Sequence, residues 1–400
     1  MSYYQSNQNS RFSNRNRSNN NFSSRKKRSF GQYIDPSKFI RIAKPVKSEE
    51  YIPENNFSDF EVNVLISDNL KRMGYVTPSP IQDKTIPIAL SGKDIVGIAN
   101  TGTGKTAAFL IPVVNKLMND RSSRALILAP TRELAEQIEE QTREIAKGSG
   151  ITGALLIGGV SMQPQLRDLR SNPQIIIGTP GRVKDHIERR TFKINDTDIV
   201  VLDEVDRMLD MGFIDDITEI LNQTASEKQS FFFSATMEGK VKTHIDNFST
   251  DPVNIMVKTG DTSENVHQNV VHYNTKDEKL EKLHDILTSE DTAKTLIFDD
   301  THRNVERLND ELLNRGFKSD AIHGGKSQAQ RQRALKKFKD SHVKVLVATD
   351  VAARGIDVSD ITHVVNFSVP QSYDDYVHRI GRAGRAGRVG HALTFIEKRY

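Results

Sequence analysis

The chain repeats one pattern from about residue 60 to its end: a short apolar segment is followed by a stretch with helical periodicity. DIVGIA (94–99) and RALILA (124–129) are two such segments, and their apolar residues do not alternate with polar ones. After RALILA, the residues Leu134, Ile138 and Ile145 lie on one helical face. Unbroken apolar strands between helices are typical of a parallel sheet covered on both faces. The pattern therefore predicts an α/β fold.

A second series of apolar segments begins near residue 268 and runs almost to the end of the chain. Between the two series, residues 251–266 contain a proline, a glycine and several polar side chains, which indicates a linker. We therefore predict two α/β domains in tandem, at 57–250 and 267–400, with a connecting segment at 35–56.

Residues 1–34 are rich in Asn, Ser and Arg and poor in apolar side chains, so we predict a disordered tail. The tail has seven basic residues and no acidic one; since the formal net charge of the chain is +4, residues 35–400 carry −3. One interpretation is an arm that binds nucleic acid, because aromatic residues such as Tyr3 and Phe12 can stack on bases. A solubilising tail and an organellar transit peptide are the alternatives, although we find no amphipathic face.

The chain has no cysteine, which excludes disulfides and thiolate-bound zinc or iron–sulfur sites. No apolar run approaches the ~20 residues that a membrane-spanning helix needs, and the N-terminus lacks the apolar core of a secretory signal. The eleven histidines show no metal-ligand spacing. We therefore expect a cytoplasmic protein that does not enter a membrane.

The glycine-rich sequence ANTGTGKT (99–106) follows an apolar strand and opens a helical stretch, as a phosphate-binding loop requires. Its two glycines let backbone N–H groups converge on phosphate oxygens, and the helix N-terminus adds positive potential. Lys105 would reach the β- and γ-phosphates of a nucleotide, and the Thr106 hydroxyl would ligate Mg²⁺. Because Ala99 replaces the usual first glycine, the match is to a variant of the loop.

The segment IVVLDEVD (199–206) delivers Asp203 and Glu204 at the carboxyl end of a buried strand, where open α/β sheets bind ligands. Asp203 suits the Mg²⁺ shell, and Glu204 suits polarisation of an attacking water. Together with the upstream phosphate loop, the pair predicts a site of nucleotide hydrolysis.

The sequence HRIGRAGRAGR (378–388) in the second predicted domain carries arginines separated by glycines, which add no side chains beside the backbone. One interpretation is that arginines of this sequence act as fingers that reach a γ-phosphate held by the first domain. The alternative is a loop that only contacts nucleic-acid phosphates, but the helical pattern SYDDYVHRI (372–380) favours a structured position.

With these motifs in this order, the chain resembles the DEAD-box RNA helicases of superfamily 2 over residues 57–396. GYVTPSPIQ (74–82) resembles the Q motif of that family. The other matching motifs are PTRELA (130–135), the pair Gly158–Gly159, TPGR (179–182), SAT (234–236), LIFDDT (296–301), QAQR (328–331), ATD (348–350) and ARGID (353–357). The resemblance implies two RecA-like domains that bind ATP, Mg²⁺ and RNA, the RNA mostly without sequence preference.

The resemblance also implies roles for individual residues. The catalytic residues would be Lys105, Asp203, Glu204, Arg382 and Arg385. ATP would be bound by Phe57, Gln82, Thr101, Gly102, Thr103, Gly104, Lys105, Thr106 and Asp357, with Mg²⁺ at Thr106 and Asp203. RNA would be bound by Thr131, Arg132, Gly159, Thr179, Arg182, Arg331 and Thr349. Asp206, Ser234, Thr236 and His378 would couple the ATP state to strand separation.

Three features depart from the family pattern. Val205 stands where the family has alanine, and its added methyl groups would crowd the strand end at a typical overpacking cost of ~1–3 kcal/mol. The sequence ends at Tyr400, so we expect the last helix of many relatives to be short or missing. A dedicated C-terminal RNA-binding domain is also not found.

We therefore predict an ATP-dependent RNA helicase, monomeric, that locally unwinds RNA duplexes or remodels RNA–protein complexes. One rival is a DNA helicase or translocase of the same superfamily, which aromatic-rich insertions and a different Q region would favour. Another is an ATP-gated RNA clamp or assembly scaffold whose turnover is incidental. A phosphate-loop signalling switch would not explain the motifs of the second domain.

Overall fold

The structure is a computed structural model that describes residues 34–43, 51–100, 102–237, 240–257, 262–353, 356, 358, 360–384 and 388–398. The predicted tail up to residue 33 and three predicted site residues, Thr101, Asp357 and Arg385, lie outside the described residues. The chain forms two wholly parallel sheets, so the predicted α/β fold with tandem RecA-like domains is confirmed.

The first sheet has seven strands in the order β3-β4-β2-β5-β6-β1-β7. Its strands are β1 (Ile95–Ile98), β2 (Ala125–Leu128), β3 (Gly153–Leu156), β4 (Ile175–Gly178), β5 (Ile199–Leu202), β6 (Gln229–Ser234) and β7 (Val253–Met256). The central strands β2, β5 and β6 are buried at every position, which explains their unbroken apolar sequences.

Nine helices accompany this sheet in the described part of the chain. They are α1 (Val64–Arg72), α2 (Pro80–Leu90), α3 (Lys105–Asn119), α4 (Arg132–Ile145), α5 (Met162–Arg170), α6 (Pro180–Glu188), α7 (Val205–Asp210), α8 (Ile214–Leu221) and α9 (Lys240–Phe248). Two separate apolar clusters cover the two faces of the sheet, because successive side chains of each strand point to opposite faces.

The second sheet has six strands in the order β10-β11-β9-β12-β13-β8. Its strands are β8 (Val266–Tyr273), β9 (Thr295–Phe298), β10 (Ser319–Ile322), β11 (Val345–Ala348), β12 (His363–Asn366) and β13 (Gly390–Glu397). The helices beside them are α10 (Lys276–Thr288), α11 (His302–Asn314), α12 (Gln328–Lys339), α13 (Asp350–Ala353) and α14 (Tyr373–Ile380). In the described residues no helix is both long and apolar enough to cross a bilayer.

Short polar side chains fix where many of the helices begin. Thr131, Thr275, Thr301, Ser327 and Ser372 each precede a helix, and each side-chain oxygen accepts the backbone N–H three residues further on. Such N-caps satisfy one of the free N–H groups of the first turn and contribute about 1 kcal/mol each.

The predicted linker at 251–266 differs from the structure. Residues Val253–Met256 form β7, which pairs in parallel with β1 at the edge of the first sheet. Val266 already begins β8 of the second sheet. We therefore propose that the first domain extends through β7 and that the connection between the domains is limited to residues 257–265.

The predicted connecting segment at 35–56 also differs from the structure. Pro36–Phe39 is a 3₁₀ helix that packs on the second domain, where Phe39 is fully buried in the apolar cluster. The contacts of Tyr51, by contrast, lie on α2 of the first domain. The segment therefore touches both domains instead of only leading into the first.

Three histidines stack across neighbouring strands of the second sheet. The ring centroids of His363 and His391 are 4.8 Å apart, and those of His391 and His267 are 5.4 Å apart. Burial, together with the neighbouring charge of His391, lowers the pKa of His363 to about 4, although Asp291 opposes the shift. Burial and the charge of His267 also lower the pKa of His391.

This stack predicts a loss of stability in acid. The folded state depresses the pKa of His363 from 6.5 to about 4, so the unfolded state binds a proton first as the pH falls. The free energy of unfolding is therefore unaffected by His363 above pH 6.5 and decreases as the pH falls from 6.5 towards 4. We expect His363→Asn to lose less stability than the parent protein between pH 7 and pH 5, as measured by denaturant unfolding at both values. Equal losses would contradict a neutral His363 in the folded state.

Candidate functional site

The predicted phosphate loop connects β1 to α3. Gly102 and Gly104 have φ angles of 84° and 90°, a left-handed conformation that favours glycine. Lys105 begins α3, is buried, and donates from Nζ to the backbone carbonyl of Ala99 at 3.0 Å. The half-buried Thr106 follows it. The loop thus presents backbone N–H groups, one helix N-terminus and one ammonium group, which together suit a polyphosphate.

Residues of the predicted Q motif form hydrogen bonds to the backbone of this loop. The Ser79 hydroxyl donates to the carbonyl of Thr103 at 2.8 Å, and the Gln82 amide donates to the carbonyl of Gly104 at 3.1 Å. A Cβ atom on Gly104 would lie 2.4 Å from Gln82 Nε2, so any other residue would displace this amide. Phe57 is buried edge-on against Phe60 and Tyr75. The structure therefore connects Gln82 to the phosphate loop itself, and Ser79 is a contact that the sequence analysis missed.

The two predicted acidic residues follow β5. Asp203 is buried, and burial raises its pKa to about 6 although the charge of Lys105 opposes this shift. Glu204 has a φ angle of 56°, precedes α7, and pairs with the guanidinium of Arg207 at 3.0 Å. Burial alone would raise the pKa of Glu204, but the charges of Arg207 and then Lys105 hold it below its usual value. Glu204 is therefore ionised at neutral pH, as a base for water must be.

Val205, the departure from the family pattern, is the first residue of α7. Its side chain is 3% exposed and belongs to the apolar cluster on that face of the sheet, which also contains Leu202 and Met208. The expected crowding at the strand end therefore concerns apolar neighbours.

Asp206 connects the acidic motif to the SAT motif. Its Oδ2 accepts the backbone N–H of Ala235 at 3.0 Å, and its Oδ1 accepts the N–H of Arg207. Ser234 is fully buried at the end of β6, while Thr236 is exposed. Asp206 thus connects the start of α7 directly to the loop that follows β6.

The second domain contributes its own part of this site through α14 and the turn after it. Arg382 is 3% exposed and donates to the carbonyl of Ile356 at 3.1 Å, and His378 is half-buried. The charges of Arg382 and His378 also contribute to the lowered pKa of Glu204. Predicted residues from both domains therefore lie within electrostatic reach of one carboxylate.

Arg379, which the sequence analysis passed over, fixes the start of this turn. Its guanidinium binds Asp350 at 2.6 and 2.8 Å and also donates to Asn366 and to the carbonyl of Ser368. This buried fork ties α14 to the ends of β11 and β12. The sequence could have pointed to Asp350, because it belongs to the ATD motif, but only the fold shows that Asp350 pairs with Arg379.

The predicted RNA-contact residues lie at the carboxyl edges of the sheets. The Arg132 guanidinium lies over Gly158 and Gly159: a Cβ at Gly159, whose φ is 74°, would meet Arg132 Nη1 at 1.9 Å. Thr179 is half-buried before α6, and Arg182 extends towards the carbonyl of Val160 at 3.5 Å. Glycine at 159 is therefore needed both for its backbone conformation and for the room it leaves.

Arg331 has a different environment from the one we expected. Its guanidinium binds Glu133 of the first domain at 2.7 Å, and both side chains are buried. Gln328 and Gln332 of α12 donate to Glu136 of α4 at 3.0 and 2.7 Å. Arg331 thus joins the two domains in this structure. Thr349 of the second domain is also buried.

Known protein families match both halves of the chain. The sequence model of the DEAD/DEAH box helicase family matches residues 79–244, and that of the helicase conserved C-terminal domain matches residues 278–387. The DEAD-box ATP-dependent RNA helicase CshA of Bacillus subtilis is 45% identical over 345 residues, which cover 86% of this chain and 70% of the relative. The CshA helicase of Bacillus licheniformis is 46% identical over 347 residues, covering 86% and 71%.

Solved structures agree with these relatives. Mss116p bound to ssRNA and AMP-PNP superimposes with a TM-score of 0.77 at 30% identity, covering 89% of this chain and 77% of that one. Dbp5 of S. cerevisiae bound to RNA and ADP BeF3 gives a TM-score of 0.74 at 28% identity, covering 86% and 90%. The chain therefore belongs to the DEAD/DEAH box helicase family. Within that family it is a DEAD-box ATP-dependent RNA helicase.

Proposed function

We propose that the chain uses ATP hydrolysis to separate RNA duplexes locally or to remodel RNA–protein complexes, by closing two domains around ATP and RNA. The observation that supports this most is the setting of Glu204. Burial alone would raise the pKa of Glu204, but the charge of Arg207, then those of Lys105, Arg382 and His378, hold it below its usual value, so that groups from both domains act on one carboxylate. Such a site is complete only while the domains lie together, so hydrolysis is tied to closure.

We assign the nucleotide steps to side chains as follows. The N–H groups of Gly102 to Gly104 and the ammonium of Lys105 would bind phosphate oxygens, and Phe57 and Gln82 would select adenine. Glu204 would accept a proton from the attacking water, and Arg382 would stabilise the charge that develops on the γ-phosphate. We also propose that Thr101 and Asp357 bind ATP and that Arg385 is a second catalytic arginine.

The residues near the loop suit Mg²⁺. Asp203 and Thr106 offer a carboxylate and a hydroxyl, and oxygen donors are the ones Mg²⁺ prefers. Among the described residues no cluster of three or more His, Asp or Glu side chains could hold a metal. A Mg²⁺ site in a nucleotide enzyme needs only one or two carboxylates, because phosphates and water complete the shell. When bound, Mg²⁺ would neutralise phosphate charge.

RNA is the proposed partner, held across both domains through its phosphates and sugars. Thr131, Arg132, Gly159, Thr179 and Arg182 would contact it from the first domain. Arg331 and Thr349 would do so from the second, with Arg331 shared between RNA and Glu133. The similarity to Mss116p bound to ssRNA supports this arrangement. Asp206, Ser234, Thr236 and His378 would transmit the state of the ATP site.

We further propose that the protein acts as a monomer, since one chain supplies both halves of the ATP site. The cytoplasm is the proposed compartment, because ATP and RNA substrates meet there in bacteria such as those that carry the CshA relatives.

The test of this function is the ATPase rate with and without nucleic acid. We expect single-stranded RNA to raise the rate well above its basal value, and single- and double-stranded DNA to leave it near basal. Stimulation by DNA equal to that by RNA would support the DNA-helicase rival. RNA-stimulated binding with almost no turnover would instead support the RNA clamp.

The N-terminal tail gives a separate prediction. If residues 1–34 form an RNA arm, each phosphate they neutralise adds about −0.7 to the slope of log K against log salt. Deletion of residues 1–34 is then expected to weaken RNA binding most at low salt and to flatten that slope, while the ATPase rate at saturating RNA changes little. Titrations at several salt concentrations measure both quantities. Equal affinity and slope in both proteins would leave the solubilising interpretation.

A further inference from the structure

Residues 34–43, which we call the N-terminal strap, pack on the second domain although they precede the first in sequence. Phe39 of the strap is fully buried, and its ring centroid lies 4.7 Å from that of Tyr376 at an angle of 59°. Tyr376 is equally buried and lies on α14, two residues before His378. The strap therefore packs directly against the helix that leads to Arg382.

Backbone and side-chain hydrogen bonds hold the strap in this position. Arg41 pairs with Gln268 of the edge strand β8 in antiparallel fashion, with N–H to carbonyl distances of 3.0 and 2.8 Å. The side chain of the same Gln268 accepts the Tyr376 hydroxyl at 2.9 Å. The N–H of Ala43 donates to His267 Nδ1 at 3.1 Å. Tyr376 is thus fixed at its ring by Phe39 and at its hydroxyl by the residue that pairs with the strap.

The strap also belongs to the apolar core of the second domain. Phe39 shares one cluster with Ile380 and Ala383, which flank the turn after α14, and with Val266 and Ala392 of the two neighbouring strands. Ring contacts of this kind bury a large apolar area at a defined geometry. Removal of the Phe39 ring would leave a void directly behind α14, and the helix could shift into it.

The chain beyond the strap is anchored on the other half of the ATP site. Asp83, the neighbour of Gln82 on α2, accepts hydrogen bonds from the Tyr51 hydroxyl, from the N–H of Glu54 and from the N–H and side-chain amide of Asn55. Ala43 and Tyr51 are eight residues apart, which a chain spans over at most about 28 Å. One N-terminal stretch therefore holds both α2, which supports the phosphate loop, and α14.

We propose that Phe39 is a positioning residue for ATP hydrolysis: through Tyr376 it holds α14, and with it Arg382, against the first domain's half of the ATP site. This inference rests on the proposed role of Arg382 in hydrolysis. It assigns to Phe39, which lies outside the family's motifs, an indirect influence on turnover. Phe39 itself contacts no substrate.

The test is Phe39→Ala, with Ile42→Ala as its matched control because Ile42 is 77% exposed in the same strap. We expect Phe39→Ala to lower kcat at saturating RNA by about tenfold, while nucleotide affinity, which depends on the first domain, stays within about twofold. Ile42→Ala should match the parent protein. Phe39→Leu, which refills most of the apolar space, should restore kcat to within about threefold.

Two further measurements guard against a purely structural effect. Deletion of residues 1–43 should reproduce the low kcat and deletion of residues 1–33 should not, and a synthetic peptide of residues 34–43 should restore activity to the longer deletion. Unchanged kcat in folded Phe39→Ala protein, or parallel losses of kcat and nucleotide affinity, would overturn the proposal. If the parent protein itself shows no RNA-dependent ATPase activity, the proposed function fails instead.

Discussion

Replacement of Glu204 by glutamine is expected to abolish turnover while ATP and RNA still bind. Glutamine keeps the shape of the side chain but cannot accept a proton from the attacking water, and general bases contribute about 10²–10⁴-fold to rate. Because the lowered pKa keeps Glu204 ionised at neutral pH, the parent protein has its base fully available there. The variant is therefore expected to accumulate as a closed complex with ATP and RNA.

The measurement combines single-turnover ATP hydrolysis with RNA dissociation in the presence of ATP. Since the substitution also removes the charge that pairs with Arg207, the unfolding temperature of each protein must accompany the rates. Glu139→Gln is a suitable control, because Glu139 pairs with Arg143 on an exposed helix face and lies in no motif. Hydrolysis at the parent rate in folded Glu204→Gln protein would refute the role of Glu204 as the base.

The fold was predictable where a single physical cause controls the sequence. Strands buried on both faces must be apolar at every position, so segments such as β5 directly predict a parallel sheet. Edge strands escape this rule. β7 is only partly buried and sits among polar residues with a proline, so its four residues look like a linker until the partner strand β1 is known.

The candidate ATP site could be predicted in part, because its residues cluster in short motifs with one evident chemistry. Glycines beside Lys105 predict a phosphate loop, and two carboxylates after a strand predict a metal and a base. The pairing of Glu204 with Arg207 was not predictable in this way, since an arginine three residues along a helix has many other uses. The proposed role of Glu204 is tested by the substitution Glu204→Gln described above.

Contacts between distant parts of the chain were the least predictable. Phe39 is the one aromatic residue among residues 34–43, and nothing in the periodicity of that stretch points to Tyr376, 337 positions away. From the sequence, Arg331 is similarly expected to bind a phosphate, whereas in the structure it pairs with Glu133 of the other domain. Such contacts depend on which distant segments the fold brings together, which local propensity does not encode.

Replacement of Arg382 by alanine is expected to lower turnover by about 10³–10⁵-fold, the usual contribution of an arginine finger. ATP affinity should fall far less, because the phosphate loop and the Q motif both lie in the first domain. The reason for this asymmetry is that the guanidinium acts on charge that develops only during transfer of the γ-phosphate. Arg388→Ala is the matched control, since Arg388 lies in the same motif but is exposed.

A second readout separates this role from a structural one. The charge of Arg382 contributes to the lowered pKa of Glu204, so its removal should raise that pKa. The acid side of the pH–rate profile would then move to higher pH, because the base becomes protonated sooner as the pH falls. Arg382→Ala is expected to show both the slower rate and this shift, and Arg388→Ala neither. A collapse of ATP affinity with an unchanged rate per bound ATP would contradict the finger and assign Arg382 to ground-state binding.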